Sequence, residues 1–466
     1  MAIEQSESKE NMEMVDDDGH TRTGTVWTAT SHAITAVIGS GVLALPWSVA
    51  QLGWIIGPAA LITCAYVTYY TANLLSDCYR SPDGKRNHTY MHVVRSYLGA
   101  RDVFFCAVAQ YAMLWGTMIG YTITVAMSMM AVEHSNCFHY KGHDAKCGAS
   151  GNLYMIIFGV VEIVLSQFPN LEKITLLSVI AAAMSCAYSF IALALCIAKF
   201  ASHASVRGTL LGVKITGNIS ASTKVWHSLQ ALGNIAFAYT YSNLLVEIQD
   251  TLKSPPPENK TMKRATMYGI GVTTMFYVSL GCVGYAAFGN VAPGNILTGF
   301  YEPFWLVDIA NIAVVIHLVG AYQVYGQPIY AKYEGWLAKK WPESAFFHYV
   351  YAIRIPFSKD RLFKFTLCKL VLRTAFVVLT TLIGMMLPFF NAVVGLLGSI
   401  AFWPLTVYYP VTMYMVQAKI KRGHSKWLML QALSMAALLV SLLAAVGSVA
   451  DIAQRLKHAT IFKTEL

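Results

Sequence analysis

Charged residues are scarce in this chain of 466 residues: Asp, Glu, Lys and Arg make up 12% of it, and 56% of the residues are hydrophobic. Soluble domains carry about 25% charged residues, so an ordinary soluble enzyme or signalling domain is excluded. The sequence also lacks a P-loop, an HExxH motif and a convincing Ser-His-Asp spacing. These absences argue against an ATP-driven pump and against an enzyme, and we expect no cofactor.

Long apolar runs take the place of charge, each near the ~20 residues needed to cross the hydrocarbon core of a bilayer. They predict an all-α integral membrane protein with about 11 transmembrane helices. The boundaries are good to about four residues. The predicted spans are residues 27–50, 54–77, 103–132, 153–168, 172–198, 225–248, 266–288, 303–329, 370–387, 390–416 and 427–450.

The basic residues concentrate in the loops that follow even-numbered spans, which places those loops and the N-terminus in the cytosol by the positive-inside rule. This distribution explains the net charge of +10, so the charge does not indicate a nucleic-acid partner. The expected partner is the lipid bilayer. Residues 1–25 are polar and acidic enough to stay disordered. No cationic leader precedes the first span, so we expect no removable signal peptide.

The stretch IGSGVLALPW, Ile38 to Trp47, places two glycines, a serine and a proline inside the first apolar span. A helix broken here exposes backbone amides where the bilayer offers no water, and such a break persists when it lines a site. Amides at the start of a half-helix suit a carboxylate. Close helix packing is the alternative use of the glycines. The predicted carboxylate site consists of Ile38, Gly39, Ser40, Gly41 and Val42.

Polar residues between Gly233 and Asn243 interrupt the sixth span in the same way, although no proline marks the break. The opposed half-helix end would offer carbonyl groups to an ammonium group. Two helix ends of opposite polarity recognise a zwitterion without a buried ionised side chain. The predicted ammonium site consists of Ala236, Phe237, Ala238 and Tyr239.

Four aromatic residues could enclose the side chain of the ligand: Phe237, Tyr239, Tyr121 and Trp115. Ordinary aromatic packing is the alternative for each of them.

Interruption of spans one and six indicates two halves of five spans, inverted relative to each other in the membrane. The predicted organisation is a disordered cytosolic N-terminus (1–25), a first repeat (26–200), a second repeat (201–420) with a cytosolic loop at 331–369, and an eleventh span with a short extracellular C-terminus (421–466).

Ionisable residues within spans are functional hypotheses by default, because charge is costly there. His32, His317 and Asp308 are candidates for proton coupling, since an imidazole titrates near physiological pH; a satisfied hydrogen bond is the alternative for each histidine. We expect Arg373 to extend from the end of its span to the interface. The others are Glu162, His227 and Glu247.

Two of the nine cysteines, Cys137 and Cys147, stand ten positions apart in the polar loop between spans three and four. That loop faces the oxidising side in the predicted topology, so we expect a disulfide between them. Two unpaired thiols are the alternative. Among the glycosylation sequons, only Asn218 lies in a predicted outer loop.

Several segments together resemble the plant amino acid permeases of the amino acid/auxin permease family, across about residues 24–450. They are TSHAITAVIGSGVLALPWSVAQLGW (Thr30 to Trp54), GNIAFAYTYSNLLVEIQDTLKSPPPENKTMKRA (Gly233 to Ala265), GYAAFGNVAPGNILT (Gly284 to Thr298), HLVGAYQVYGQPIY (His317 to Tyr330) and FWPLTVYYPV (Phe402 to Val411). The resemblance implies a leucine-transporter-type 5+5 inverted repeat with broken helices 1 and 6. It also implies proton-coupled import of amino acids at the plasma membrane. Family members commonly carry an aspartate at the position of Asn234, so the coupling proton here needs another acceptor.

The predicted function is therefore proton-coupled symport of a small-molecule substrate, a neutral amino acid, by alternating access; transport of acidic amino acids is left open. One alternative is an auxin-type carboxylate carrier. The other is a non-transporting amino acid receptor on the same fold. Neither the preferred amino acid nor the oligomeric state follows from the sequence.

Overall fold

A computed structural model of the chain describes residues 19, 21–142, 144–148, 150–167, 171–203, 205–215, 219–354 and 362–457. Its α-helices are, in chain order, α1 (Val26–Val37), α2 (Leu45–Asp77), α3 (Tyr90–Tyr97), α4 (Ala100–Lys141), α5 (Gly151–Ser166), α6 (Leu171–His203), α7 (Ala221–Ala238), α8 (Ser242–Asp250), α9 (Glu258–Phe288), α10 (Phe304–Lys340), α11 (Ala345–His348), α12 (Leu367–Met386), α13 (Phe390–Ala401), α14 (Tyr409–Gln417) and α15 (Ser425–Leu456). Short 3₁₀ segments lie at Ser40–Ala44, Gly289–Val291 and Ile296–Gly299, and a π-helical turn at Phe402–Tyr408 joins α13 to α14.

The helices match the predicted spans. Within the described residues, 8 helical segments are long and apolar enough to cross a membrane. One of them, Ser40–Asp77, contains both the second half of span one and all of span two. The shorter α5 and the interrupted pair α7 and α8 correspond to spans four and six. The predicted helical membrane fold, with breaks in spans one and six, is thus confirmed.

A tight turn at Gly53 separates the second half of span one from span two. Gly53 has φ of +83°, and α2 continues through it as a kink. A Cβ at this position would collide with the backbone of Leu210, Leu211 and Gly212. Glycine is therefore required both by the left-handed conformation and by the close approach of the loop after α6.

The predicted cytosolic loop at 331–369 is shorter than expected and contains strands. Helix α10 continues to Lys340, and a two-stranded antiparallel sheet follows, formed by β1 (Val350–Arg354) and β2 (Leu362–Thr366). Its register pairs Val350 with Thr366 and Arg354 with Leu362. This hairpin is a small addition to the predicted helical fold, and its strands contain aromatic and β-branched residues, which favour extended structure.

The chain forms two compact units. Unit 1 comprises 1–113, 193–294 and 394–451, and unit 2 comprises 114–192, 295–393 and 452–466. Unit 1 thus holds spans one and two together with six and seven, and unit 2 holds spans three and four together with eight and nine. The predicted repeats, residues 26–200 and 201–420, are consecutive in the chain, whereas these units are defined by contacts. The two repeats therefore stay a prediction.

In unit 1, the segment before α1 is bound to the segment after α8. The Gly24 amide donates to the Thr251 carbonyl at 3.0 Å, and the Lys253 amide donates to the Gly24 carbonyl at 3.1 Å. Residues 1–18 and 20 lie outside the described part. The predicted disorder of residues 1–25 therefore does not extend to their last residues, because backbone bonds hold Gly24.

An ionic cluster around Asp250 reinforces this connection. We call the backbone bonds and the Arg22–Asp250 ion pair together the latch, which consists of Arg22, Gly24, Asp250, Thr251 and Lys253. Arg22 Nη2 lies 3.0 Å from Asp250 Oδ1, and its Nε donates to the Asp250 carbonyl at 2.5 Å. The Tyr79 hydroxyl donates to Oδ1 at 2.6 Å, and His88 Nδ1 lies 3.0 Å from Oδ2.

The Asp250 carboxyl follows the predicted sixth span, and its environment favours the charged form. Burial acts to raise its pKa, but hydrogen bonds from Tyr79 and His88 and the Arg22 charge outweigh this and hold the pKa below its usual value. A lowered pKa adds stability above the ordinary carboxyl pKa, and that contribution is lost as the pH falls through the lowered value. The Asp250 carboxyl therefore makes its full contribution to the stability of the latch at neutral pH.

We expect Asp250→Asn to loosen the latch, because it removes the anion that holds Arg22. The Gly24 and Lys253 amides should then exchange hydrogen on the order of ten-fold faster, as measured by hydrogen–deuterium exchange at neutral pH. Asp77→Asn is the matched control, since Asp77 lies 2.6 Å from Lys263 Nζ outside the latch. Equal protection of both amides in Asp250→Asn and wild type would contradict the role of Asp250.

Candidate functional site

The first break lies in unit 1 between α1 and the helical segment that begins at Ser40. Ile38 leaves the helical region, with φ of −77° and ψ of 89°. Gly39 is extended, with φ of −123° and ψ of −164°. The 3₁₀ turn at Ser40–Ala44 then continues directly into α2. The chain is thus interrupted within the stretch that the sequence singled out.

Two backbone amides at this break have no acceptor among the described residues. The Gly39 amide donates to the Val37 carbonyl at 3.0 Å, and the Val42 amide donates to the Gly39 carbonyl at 3.2 Å. The amides of Ser40 and Gly41 make no such bond in the described part of the chain. They are the first amides of a long helical segment, where unpaired N–H groups and the helix dipole favour an anion.

The surroundings of the two glycines differ. A Cβ placed on Gly39 would meet no atom within 4 Å, so the backbone there borders open space. A Cβ on Gly41 would lie 2.9 Å from the Phe237 ring and 3.6 Å from the Ala238 Cα. Gly41 therefore allows the first break to contact the second one directly.

The second break lies between α7 and α8, at residues 239–241. Tyr239 ends α7 with φ of −102° and ψ of 3°. Its amide donates to the Ala236 carbonyl at 3.2 Å, and the Thr240 hydroxyl donates to the same carbonyl at 2.8 Å. The Thr240 amide donates to the Phe237 carbonyl at 3.1 Å. Both carbonyls already have protein donors, so they are weaker candidates for an ammonium group than predicted.

Among the predicted acceptors, the Ala238 carbonyl is the most available to accept a further hydrogen bond. Its recorded contact is the hydroxyl of Tyr277 on α9, at 3.5 Å. The same hydroxyl lies 2.6 Å from the Val37 carbonyl and donates its single hydrogen there. Tyr277 thus brings together the C-terminal ends of α1 and α7, both of which carry partial negative charge. This arrangement suits a cation beside Ala238.

Tyr277 was not among the predicted site residues. It is fully buried, and its ring packs edge-on against Tyr239 with 5.3 Å between ring centroids. The residue lies inside an ordinary apolar run of span seven, so no local pattern distinguishes it.

Glycines bring α7 and α13 into backbone contact within unit 1. A Cβ on Gly398 would collide with the Gly233 carbonyl oxygen and would lie 2.7 Å from the Phe237 amide nitrogen. Next to this crossing lies Asn234, which is fully buried, and neither side-chain atom has a hydrogen-bond partner in the described structure. A neutral amide therefore occupies the position where the family resemblance implied an aspartate.

The remaining aromatic candidates lie in unit 2. Tyr121 packs edge-on against Tyr325, with 5.7 Å between ring centroids. Trp115 packs against Phe376 at 4.5 Å. In unit 1, Phe237 is half-buried beside Gly41, whereas Tyr239 is fully buried. Of the two candidates in unit 1, Phe237 is the one whose ring borders the break.

The three proton-coupling candidates have separate surroundings. His32 is exposed on α1. His317 is buried in unit 2, where its Nδ1 donates to the Ala181 carbonyl at 2.8 Å. Asp308 accepts a hydrogen bond from the Asn136 amide at 2.6 Å. Their role in coupling stays a prediction.

Arg373 is not exposed, as a side chain that extended to the interface would be. It is buried, and its Nε donates to Glu334 Oε1 at 2.7 Å. Its Nη1 donates to the Ser166 carbonyl at 2.5 Å. A carboxylate partner on α10 explains why this cation is retained inside unit 2.

The predicted disulfide is present. Cys137, near the end of α4, is bonded to Cys147, and their Cα atoms lie 6.0 Å apart, within the usual range for a disulfide. Asn218 lies outside the described residues, so its glycosylation stays a prediction.

Comparison with known proteins identifies the family. The profile described as "Transmembrane amino acid transporter protein" matches residues 22–454. Amino acid permease 8 of Arabidopsis thaliana is 54% identical, over 96% of this chain and 95% of that protein. Amino acid permease 6 of Arabidopsis thaliana is 53% identical, over 95% and 93% respectively.

Among solved structures, the nucleobase–cation symport-1 family transporter Mhp1, in a closed conformation with bromovinylhydantoin bound, has a similar fold. The TM-score is 0.50 with 11% sequence identity, and the match covers 94% of this chain and 95% of that one. At this identity the likeness concerns the fold alone. The profile match and the two permeases show that this chain belongs to the transmembrane amino acid transporter family.

Proposed function

We propose that this protein is a proton-coupled symporter that imports neutral amino acids across the plasma membrane by alternating access, with its N-terminus in the cytosol. Amino acid transport is supported by the family and by relatives that are named amino acid permeases. Symport with protons, and the choice of neutral substrates, are the finer parts of the proposal.

One observation supports an amino acid as the substrate. Two amides without a protein acceptor lie at the N-terminal end of one helical segment, close to the C-terminal end of α7, which has the opposite polarity. The substrate carboxylate binds the Ser40 and Gly41 amides, which have no acceptor among the described residues. The ammonium group binds the Ala238 carbonyl. The Cα of Ala238 lies 3.6 Å from the position that a Cβ on Gly41 would occupy. An α-amino acid carries its two charges on neighbouring carbons, so it fits two poles this close together.

The side chain of the substrate extends into the open space beside Gly39 and against the half-buried ring of Phe237. Neither charge of the substrate needs an ionised protein group in this arrangement, so the desolvation of a buried side-chain charge is avoided. A net-neutral zwitterion is therefore the favoured substrate. An acidic amino acid would need a further cationic partner for its side chain.

The energetics allow strong accumulation. One proton that enters with a neutral amino acid moves one charge, which yields about 2.3 kcal/mol per 100 mV. A difference of one pH unit adds about 1.4 kcal/mol. Together, about 3.7 kcal/mol sustains an accumulation of about five-hundred-fold.

Current recording in oocytes tests the symport directly. We expect neutral amino acids to evoke inward currents that grow when the external pH is lowered from near neutral to acidic, because protons enter with the substrate. Equal uptake at both pH values without current would contradict proton coupling. Binding without any uptake would instead indicate a receptor on this fold.

Indole-3-acetate separates the amino acid transporter from an auxin-type carrier. Because it has a carboxylate but no ammonium group, it should leave the uptake of labelled glutamine unchanged. Competition by indole-3-acetate as strong as that by unlabelled glutamine would favour the carboxylate carrier.

We expect Gly39→Ala to raise the KM for uptake by about ten-fold or more, because its methyl group fills space beside the two amides. The surface level should be unchanged, since that methyl group meets no protein atom within 4 Å. Gly41→Val should abolish uptake, because its side chain presses on Phe237.

Gly271→Ala on α9 is the matched control, since a Cβ there also meets nothing within 4 Å. It should transport like wild type. An unchanged KM in Gly39→Ala would contradict the binding of the substrate at the first break.

A further inference from the structure

Glu162 on α5 is a fully buried carboxyl group in the membrane region of unit 2. Its Oε2 accepts a hydrogen bond from the Gln323 side-chain amide of α10 at 2.5 Å. Its Oε1 has no hydrogen-bond partner in the part of the chain that the structure describes. The carboxyl is thus held in one orientation by a neutral donor.

The other deeply buried carboxyl groups of the described residues have cationic or ionisable partners. Glu258 lies 2.8 Å from guanidinium nitrogens of both Arg80 and Arg86. Asp451 lies 3.1 Å from His227 Nε2. Glu162 differs from both, because its recorded partner is an amide that cannot carry a positive charge.

An ionised carboxylate with one neutral donor is strongly disfavoured at a fully buried position in the membrane region. In the conformation described here, Glu162 therefore carries a proton. Gln323 can donate to Oε2 of either form, so it keeps the carboxyl in place while the proton binds or leaves.

The helices packed against α5 contribute few titratable groups around this carboxyl. From α10 come Tyr322, whose hydroxyl lies 2.7 Å from the Thr380 hydroxyl, and Tyr330. About two helical turns before Glu162 on α5, the Tyr154 hydroxyl donates to Glu133 of α4 at 2.8 Å. A tyrosine hydroxyl is neutral at physiological pH, so the two α10 tyrosines do not balance a charge on Glu162.

Near the C-terminal end of α5 lies an ion pair formed by Arg373 on α12 and Glu334 on α10. Arg373 donates to the carbonyl of Ser166, one helical turn beyond Glu162 on α5. Its guanidinium also lies over the Tyr330 ring, 5.2 Å from the centroid. The Arg373 guanidinium thus lies at the end of the helix that carries Glu162, and a rearrangement that brought it to Glu162 would stabilise the carboxylate.

We propose that Glu162 is the proton-binding site of the coupled transport, an inference that rests on the proton-coupled symport proposed above. The Glu162 carboxylate takes one proton from the outer aqueous phase and becomes a carboxylic acid. It releases that proton to the inner aqueous phase when Arg373 or water reaches the carboxyl group. One proton thus crosses the membrane for each protonation cycle of Glu162.

The test is Glu162→Gln, which keeps the shape of the side chain and its contact with Gln323 but cannot ionise. The purified protein in proteoliposomes should exchange labelled for unlabelled amino acid at a rate within about two-fold of wild type, because exchange needs no net proton movement. Accumulation driven by a pH gradient and a membrane potential should fall from the five-hundred-fold scale to about one, because its driving force is lost.

Glu133→Gln is the matched control. Glu133 is also a carboxyl group with a neutral hydroxyl donor, but it is half-exposed on α4. Both exchange and accumulation should match wild type in this variant.

Each outcome decides the question. A Glu162→Gln protein that accumulates substrate with proton uptake like wild type would overturn this role of Glu162 while the symport stands. Wild-type protein that exchanges substrate but never accumulates it would overturn the symport and this inference together. If Glu162→Gln does not reach the membrane, Glu162→Asp decides: a shifted pH midpoint of uptake supports the role, and an unchanged midpoint overturns it.

Discussion

The hydrogen bond from the Tyr277 hydroxyl to the Val37 carbonyl holds together the two helix breaks at which we propose that the substrate binds. Inside a bilayer, every backbone group that leaves a helix needs another partner, because water is absent. Tyr277 satisfies the end of α1 and brings its hydroxyl to the end of α7 at Ala238. The two breaks are therefore connected through one side chain, and the Ser40 and Gly41 amides, which have no acceptor among the described residues, are left for a ligand at the first break.

Small residues make this geometry possible. Gly41 lets the ring of Phe237 approach the first break, and Gly398 lets the backbone of α7 lie against α13. Away from the breaks, the latch joins the start of α1 to the end of α8 through Arg22 and Asp250. Contacts at both ends thus fix the two interrupted helices within unit 1. A change at the latch can in this way affect the position of α1 at the proposed substrate site.

The sequence revealed what depends on local composition. Glycines and a proline in an apolar run predicted the first break, and two cysteines in one polar loop predicted the disulfide. It could not reveal what depends on distant partners: Tyr277 and Val37 are 240 residues apart in the chain. The same holds for Arg373, whose partner Glu334 lies on another helix. The hairpin at Val350–Arg354 and Leu362–Thr366 was not predicted, because the pairing of its strands depends on two separate segments of the chain.

The central proposal is that backbone groups at the two breaks bind both the carboxylate and the ammonium group of an amino acid. Competition for binding to the purified protein tests it most directly, with the best neutral amino acid substrate, its carboxamide and its N-acetyl derivative as competitors. We expect each modified compound to bind at least about a hundred-fold more weakly, because one pole of the site is then left unpaired. A carboxamide that competes as well as the amino acid would contradict recognition of the carboxylate by the Ser40 and Gly41 amides.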